Sequence, residues 1–259
     1  MGDVSAPSAA RRRPHEGRTA LVTGAAVGIG REYARRLAED GARVVCADLN
    51  PTDETLALIQ AEGGEGLGVL CDVSSPDDVT ALHAAAAGFG GADIVVHNAG
   101  IYPMQPFAEM TFESWRRVLA INLDSLFLVA QAFLPTMIER EWGRLIAISS
   151  GMVHAGAPIA PHYVASKAGV IGLVRSLAGS VGQYGVTVNA VSPGLIETVG
   201  TLTGPQRELG LFEALIDVQA IKRTGRPEDL AGMVSFLASD DASWMTGQTV
   251  LIDGGAARH

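Results

Sequence analysis

TALVTGAAVGIGREYARRLAED, residues 19 to 40, gives three local instructions in succession. Thr19 to Thr23 is a short, apolar, β-branched run with strand character, and 29 to 40 reads as a helix. Gly24, Gly28 and Gly30 occupy the turn between them. Glycine there permits tight backbone angles and lets a pyrophosphate approach the chain, while the start of a helix offers unpaired N–H groups and a partial positive charge. A glycine cluster says little by itself in a chain with 31 glycines, but between a strand and a helix it is a strong dinucleotide signal.

The same alternation continues outward. Short runs rich in Val, Ile and Leu read as strands near 43 to 48, 67 to 71, 93 to 97, 144 to 149, 187 to 191 and 249 to 252. Helices are expected at about 53 to 62, 76 to 88, 112 to 138, 161 to 183 and 227 to 238. Strands alternating with longer helical segments imply an α/β fold, a parallel sheet with helices on both faces. No change of composition marks a second domain. The stretch 194 to 225 is rich in glycine around the apolar patch LFEALI and is expected to form an excursion or substrate lid.

Asp48 ends the second predicted strand, 18 residues beyond Gly30. A carboxylate at that place accepts hydrogen bonds from both adenosine ribose hydroxyls and repels a 2′-phosphate. No arginine follows Asp48 and Val27 precedes Gly28, so the expected cofactor is NAD rather than NADP. CDV, residues 71 to 73, closes the third strand; Asp72 and Val73 either flank an adenine edge or, for Asp72, cap the next loop. In HNAG, 97 to 100, small residues would let a cofactor lie against backbone, although packing would use them equally.

Composition narrows the partners. Of 259 residues, 47% are hydrophobic and 18% charged, which suits a soluble protein with a large core. A formal charge of -9 disfavours nucleic acid and anionic membranes as main partners, leaving small molecules. No run approaches the 18 or so apolar residues of a membrane span. Residues 1 to 16 carry Ala, Ser, Pro and Arg without the apolar core of a secretory signal and are expected to be a disordered leader. Cys46 and Cys71 fall in predicted strands, match no metal-ligand spacing, and read as reduced core residues of a cytoplasmic protein; no metal is expected.

At the other end of the sheet, RLIAISS delivers Ser150 to the C-terminal end of its strand, where open α/β sheets place their ligands. Tyr163 follows 13 residues later, and Lys167 one helical turn after that, on the same face. Asn122 interrupts the apolar pattern LAINLDSLFLV and would need a partner if buried.

TGAAVGIG, Asp48, CDV, NAG (98 to 100), Asn122, Ser150, Tyr163, Lys167 and the run Pro193 to Thr198 resemble, in order and spacing, the short-chain dehydrogenase/reductase family over about residues 17 to 255. The resemblance implies one Rossmann-fold domain over 17–259 with seven parallel strands in the order 3-2-1-4-5-6-7. It also implies a catalytic tetrad of Asn122, Ser150, Tyr163 and Lys167. Tyr163 would be the general base for alcohol oxidation, Lys167 would hold the nicotinamide ribose and keep the phenol partly ionised, Ser150 would bind the substrate oxygen and Asn122 a relay water. Lowering a phenol from 10 to near 7 takes about 4 kcal/mol, which the ammonium and the positive nicotinamide would share. Cofactor contacts are implied for Gly24, Gly28, Ile29, Gly30, Asp48, Leu49, Asp72, Val73, Asn98, Ala99, Gly100, Tyr163, Lys167, Pro193, Gly194, Ile196 and Thr198, the last on the nicotinamide carboxamide. His97 departs from the asparagine often found there, and a local change in sheet hydrogen bonding is expected.

Longer stretches, among them NAGIYPMQPFAEMTFESW (98 to 115) and FLASDDASWMTGQTV (236 to 250), resemble NAD-dependent secondary-alcohol dehydrogenases of the 1-phenylethanol type; PGLIE (193 to 197) is also similar to pyridoxal dehydrogenases. Substrate contacts are expected from Ile101, Tyr102 and Met104, from Met152, Val153 and His154, and from Leu195, Leu202, Leu211 and Phe212, with burial of the lid as the competing role for Leu211 and Phe212. His154 and His162 flank the site in sequence. Most of these residues are apolar, so a neutral alcohol or ketone is expected. A homotetramer built partly on the helices at 112 to 138 and 161 to 183 is implied. The rival functions are a 3-oxoacyl thioester reductase and an NAD-binding sensor or scaffold.

Overall fold

The computed structural model describes residues 13–257. In chain order the elements are β1 (Thr19–Thr23), α1 (Gly28–Glu39), β2 (Arg43–Asp48), α2 (Asp53–Ala61), β3 (Gly66–Leu70), α3 (Pro76–Gly88) and β4 (Ile94–His97). Then come α4 (Phe112–Leu119), a π turn (Ala120–Asp124), α5 (Ser125–Glu139), β5 (Gly143–Ile148), α6 (Met152–Ala155), α7 (Pro161–Val181) and β6 (Val186–Pro193). Three short helices follow, α8 (Val199–Leu202), α9 (Pro205–Glu208) and α10 (Leu211–Val218), before α11 (Glu228–Ala238) and β7 (Thr249–Ile252).

The strands pair in parallel in the order β3-β2-β1-β4-β5-β6-β7. Strand periodicity divides the core in two. Leu21, Val45, Val95, Leu145 and Val188 face α3, α5 and α7, packing on Leu82, Leu126, Val129, Val170 and Val174. Their neighbours Ala20, Val22, Val44, Ile94, Val96 and Ile146 face the other way, onto Tyr33 and Leu37 of α1 and Leu230, Val234 and Leu237 of α11. Both faces of the inner strands are thus dry, as a parallel sheet requires. The strand order reverses between β1 and β4, and the crevice outside their C-terminal ends is where such sheets bind ligands.

Four expectations need correction. The helix expected over 112 to 138 is interrupted by the π turn, because the apolar period runs on through the segment and hides the extra residue. Cys71 lies just past β3 rather than within it, although it and Cys46 are buried and reduced, their thiols pushed up by burial to about 11 and about 12. The leader was expected to be disordered to residue 16, and most of it lies outside the described residues. Its last part, however, is docked: the His15 amide donates to the Asp40 carbonyl, and its buried ring meets Ser235 Oγ at 3.0 Å. Finally, Phe112–Glu139 and Pro161–Tyr184 are long and apolar enough to cross a membrane by length and composition alone; here their apolar residues, Val129, Phe133, Val170 and Val174 among them, pack into the core.

Candidate active site

At the cofactor end the backbone does most of the shaping. Gly24 and Gly28 have φ of +68° and +60°, and a Cβ on Gly30 would stand 2.0 Å from the Gly24 carbonyl oxygen. A side chain at Gly24 or Gly30 therefore collides with fixed backbone. Val27 at the N-cap of α1 supplies no side-chain hydrogen bond and the first turn carries no acid, so the helix start keeps its donors and its positive potential for an anion. These features fit the pyrophosphate of a dinucleotide.

Asp48 stands beside this turn at the end of β2. Its Oδ2 accepts from Ala26 N at 3.0 Å, and its Oδ1 from Asn50 N at 2.9 Å. The carboxylate is therefore oriented before any ribose arrives. A cation does lie near it, contrary to the expectation that none is offered: Arg31 Nε donates to the Ala26 carbonyl at 3.0 Å, but its guanidinium is tied to Glu54 at 2.7 Å. Leu49 and Leu70 are exposed around the same corner, and Val73 is buried. Asp72 caps the next loop through Oδ1, which accepts from Ser74 N at 2.9 Å and Ser74 Oγ at 2.6 Å, and this leaves its Oδ2 for an adenine edge.

Asn98 works as a brace. Its Nδ2 donates to the carbonyls of Thr23 and Gly24 at 2.9 and 3.2 Å, while Asn98 N and Ala99 N both donate to the buried Thr23 Oγ1 at 3.0 Å. The glycine turn is thereby fastened to the end of β4. A Cβ on Gly100 would come within 3.0 Å of Asn122 Oδ1 and 3.4 Å of Lys167 Nζ, so this glycine lets the chain pass between the two halves of the site.

The reacting end gathers Ser150, just past β5, with Tyr163 and Lys167 on α7. Ser150 stands close enough to the Tyr163 hydroxyl to oppose the rise in the phenol's pKa. Lys167 Nζ donates to the Ile148 carbonyl at 2.7 Å and lies 5.9 Å from the centre of the Tyr163 ring. Burial lowers the lysine to about 8. It raises Tyr163 above its usual 10, with the nearby Tyr102 adding to the rise and Ser150 opposing it. In the protein by itself desolvation dominates, so the expected sharing of that work between the ammonium and a positive nicotinamide leaves a large part to the cofactor.

Asn122 sits in the π turn, fully buried and fully engaged. Its Oδ1 accepts from Ile101 N at 2.8 Å, and its Nδ2 donates to the Ile101 carbonyl at 2.9 Å and to Ser166 Oγ at 3.1 Å. Ser166 Oγ in turn donates to the Tyr163 carbonyl at 2.8 Å. The asparagine links the loop after β4 to the helix of the tyrosine, and only a second lone pair on Oδ1 is left for a water.

The stems of the lid lean over the cofactor end. Ile196 pairs with Gly225, and the Thr198 methyl would lie 3.4 Å from a Cβ on Gly28. The Thr198 hydroxyl accepts from Thr201 N in a capping box at the start of α8, so a bond to a carboxamide would compete with that cap. Phe212 is buried and anchors the lid, whereas Met152, Leu195 and Leu211 are partly open and Leu202 is exposed. Tyr102 Oη lies against Gly200 of the lid. His154 is exposed on α6; His162 is buried and accepts from Tyr163 N at 2.9 Å, which turns it away from a substrate role. Thr23, Ser125 and Ser166 escaped the sequence reading; Ser166, three residues after Tyr163 on one helix face, was the most accessible of them.

A family model described as enoyl-(acyl carrier protein) reductase matches residues 24–257. The chain is 36% identical over 257 residues to dehydrogenase/reductase SDR family member 4 of Bos taurus, covering 96% of this chain and 91% of that protein. It is 39% identical over 245 residues to the 3-oxoacyl-(acyl-carrier-protein) reductase FabG of Vibrio cholerae, covering 93% and 97%. Among solved structures it is similar to a short-chain type dehydrogenase/reductase from Mycobacterium marinum, with TM-score 0.89, 33% identity and 96% and 98% covered. A 3-oxoacyl (acyl-carrier-protein) reductase from Agrobacterium tumefaciens with NADP bound has TM-score 0.89, 33% identity and 94% and 96% covered.

Gly30→Ala tests the cradle. The added methyl meets the Gly24 carbonyl and the Asn98 amide, so the variant should melt earlier and bind dinucleotide at least about tenfold more weakly by titration calorimetry. Undiminished binding would show that the turn does not hold the pyrophosphate.

Proposed function

The chain belongs to the short-chain dehydrogenase/reductase family, and we propose that within it this protein is an NAD-dependent oxidoreductase interconverting a secondary alcohol and a ketone on a neutral, largely apolar substrate. The observation that carries the reading is the gathering of Ser150, Tyr163 and a buried Lys167 at one end of the sheet, two strands across from the glycine turn. A sensor or scaffold has no use for a phenol and a serine gathered beside a desolvated ammonium.

The nicotinamide, when bound, supplies the hydride acceptor for oxidation and the donor for reduction. Tyr163, as phenolate, takes the proton of the alcohol oxygen while the carbinol carbon loses its hydride; in the reverse direction the phenol returns that proton to the alkoxide. Ser150 donates to the substrate oxygen and fixes its distance from Tyr163. Lys167 offsets the phenolate charge and lies where a ribose hydroxyl can meet its remaining donors. Ile101, Met152, Leu195 and Leu211 enclose the rest of the substrate and keep water from the reacting atoms.

Asp48, held by Ala26 and Asn50, favours a free ribose over a 2′-phosphate. The second reading, a 3-oxoacyl thioester reductase using NADPH, is favoured by the similarity to such reductases, one of them with NADP bound. A homotetramer completes the proposal, supported by Phe112 and Phe127, exposed at 78% and 52% on α4 and α5, and a cytoplasmic location is proposed with it.

Tyr163→Phe should lower kcat by about 10²- to 10⁴-fold while folding and NAD binding survive; an active variant would rule out the mechanism. For Asp48, kcat/KM compared between the two dinucleotides, with a secondary-alcohol panel beside a 3-oxoacyl thioester, separates the readings. A wild-type preference for NADP together with thioester reduction would overturn the first. Alcohol oxidation should climb with pH as the phenol loses its proton. Since Ser150 lowers the Tyr163 pKa, the residual activity of Ser150→Ala should reach its midpoint at higher pH, and an unmoved midpoint would show that the serine does not tune the phenol.

A further inference from the structure

The end of β4 carries a titratable group that the tetrad does not use. His97 is fully buried, with Nε2 2.8 Å from Ser125 Oγ. Ser125, equally buried at the start of α5, sends its own proton to the Ile121 carbonyl at 2.6 Å. A hydroxyl has one proton to give, so the imidazole must be the donor, protonated at Nε2 and bare at Nδ1. Consistently, Nδ1 has no hydrogen-bond partner among the described residues. A second proton is opposed by burial and by the Lys167 ammonium, which together push the ring to about 3. His97 is therefore a fixed neutral donor throughout the working range of pH.

What it reaches through Ser125 is the residue before Asn122, inside the π turn. A π turn carries one residue more than the helix around it and needs an external reason to stay in place. Asn122, held in that turn, bonds both backbone groups of Ile101 and, through Ser166, the backbone of Tyr163. Resting on the reading of the tetrad above, we propose that His97 is a positioning residue for the reaction: with Ser125 it locks the π turn so that Asn122 stays in register with Tyr163 and the loop at Ile101.

The test compares His97→Met, His97→Gln, Ser125→Ala and Tyr163→Phe with the wild type, using 1-phenylethanol and NAD as the probe. His97→Met and Ser125→Ala should each lower kcat about tenfold, leave KM for NAD within about twofold, and raise the solvent deuterium isotope effect on kcat, because proton transfer is what a displaced Asn122 slows. His97→Gln, whose amide can donate from nearly the same point, should recover most of the loss. A second readout needs no turnover: the side-chain amide resonance of Asn122 should move in His97→Met and Ser125→Ala and return in His97→Gln. Folded His97→Met with wild-type kcat or an unmoved Asn122 amide overturns the proposal, as does a loss that glutamine fails to restore. Should His97→Met not fold, Ser125→Ala decides by the same two measurements. Turnover retained in Tyr163→Phe overturns the tetrad itself, whatever the histidine variants do.

Discussion

Lys167 is a buried ammonium bonded to a single backbone carbonyl, with no carboxylate beside it among the described ion pairs. Taking such a charge out of water is costly, and here burial is the one cause that shifts its proton affinity. The reacting end is arranged around this unmet positive charge. Burial first, and this ammonium second, keep His97 neutral, while burial resists ionising the Tyr163 phenol. Burial disfavours the phenolate and the ammonium alike, because each is the charged form of its group.

The backbone that holds this charge in place is a set of cross-links between strand ends. Thr23 and Asn98 tie β1 to β4, Ser149 ties the end of β5 to α7 through the Lys167 carbonyl, and Asn122 ties the loop after β4 to the same helix. None of these side chains need meet a substrate for the site to depend on it. Asn98 is the clearest case: its side-chain amide nitrogen is committed to the glycine turn, so its part in holding a cofactor is to keep that turn pressed against β4.

Sequence pattern made the sheet legible, since alternating buried residues leave a period of two and the glycine turn punctuates it. The strand order and the tetrad were legible through the resemblance, which rests on spacing. What was hidden was whatever depends on long-range closure. The π turn left no trace because the apolar period continues through Asn122, and the engagement of that asparagine with Ile101 spans 21 residues of sequence. Residues 13 to 16 looked like leader because their partners, Asp40 and Ser235, lie far along the chain. His97 was expected to alter the sheet; it bonds instead to the helix above it, which no strand pattern could indicate. Asp72 shows the opposite limit, where a local cap and a cofactor contact make the same demand on a residue, and the cap takes only one of its two oxygens.

Substrate identity is the least legible feature for a related reason. The glycine turn is fixed by backbone, whose requirements are written as glycines, whereas the segment expected to be a lid folds into three short helices exposing Val199, Leu202, Leu209 and Val218. Apolar side chains on such a lid specify volume and dryness rather than a functional group. The approach of Tyr102 to Gly200 depends on the absence of a side chain at 200, since a Cβ there would stand 2.3 Å from the phenol oxygen. The lid and the loop of Asn122 therefore meet at a single small residue. Because Tyr102 adjoins Ile101, the residue that Asn122 holds, the loop after β4 touches the short helices at one residue and the π turn at the next.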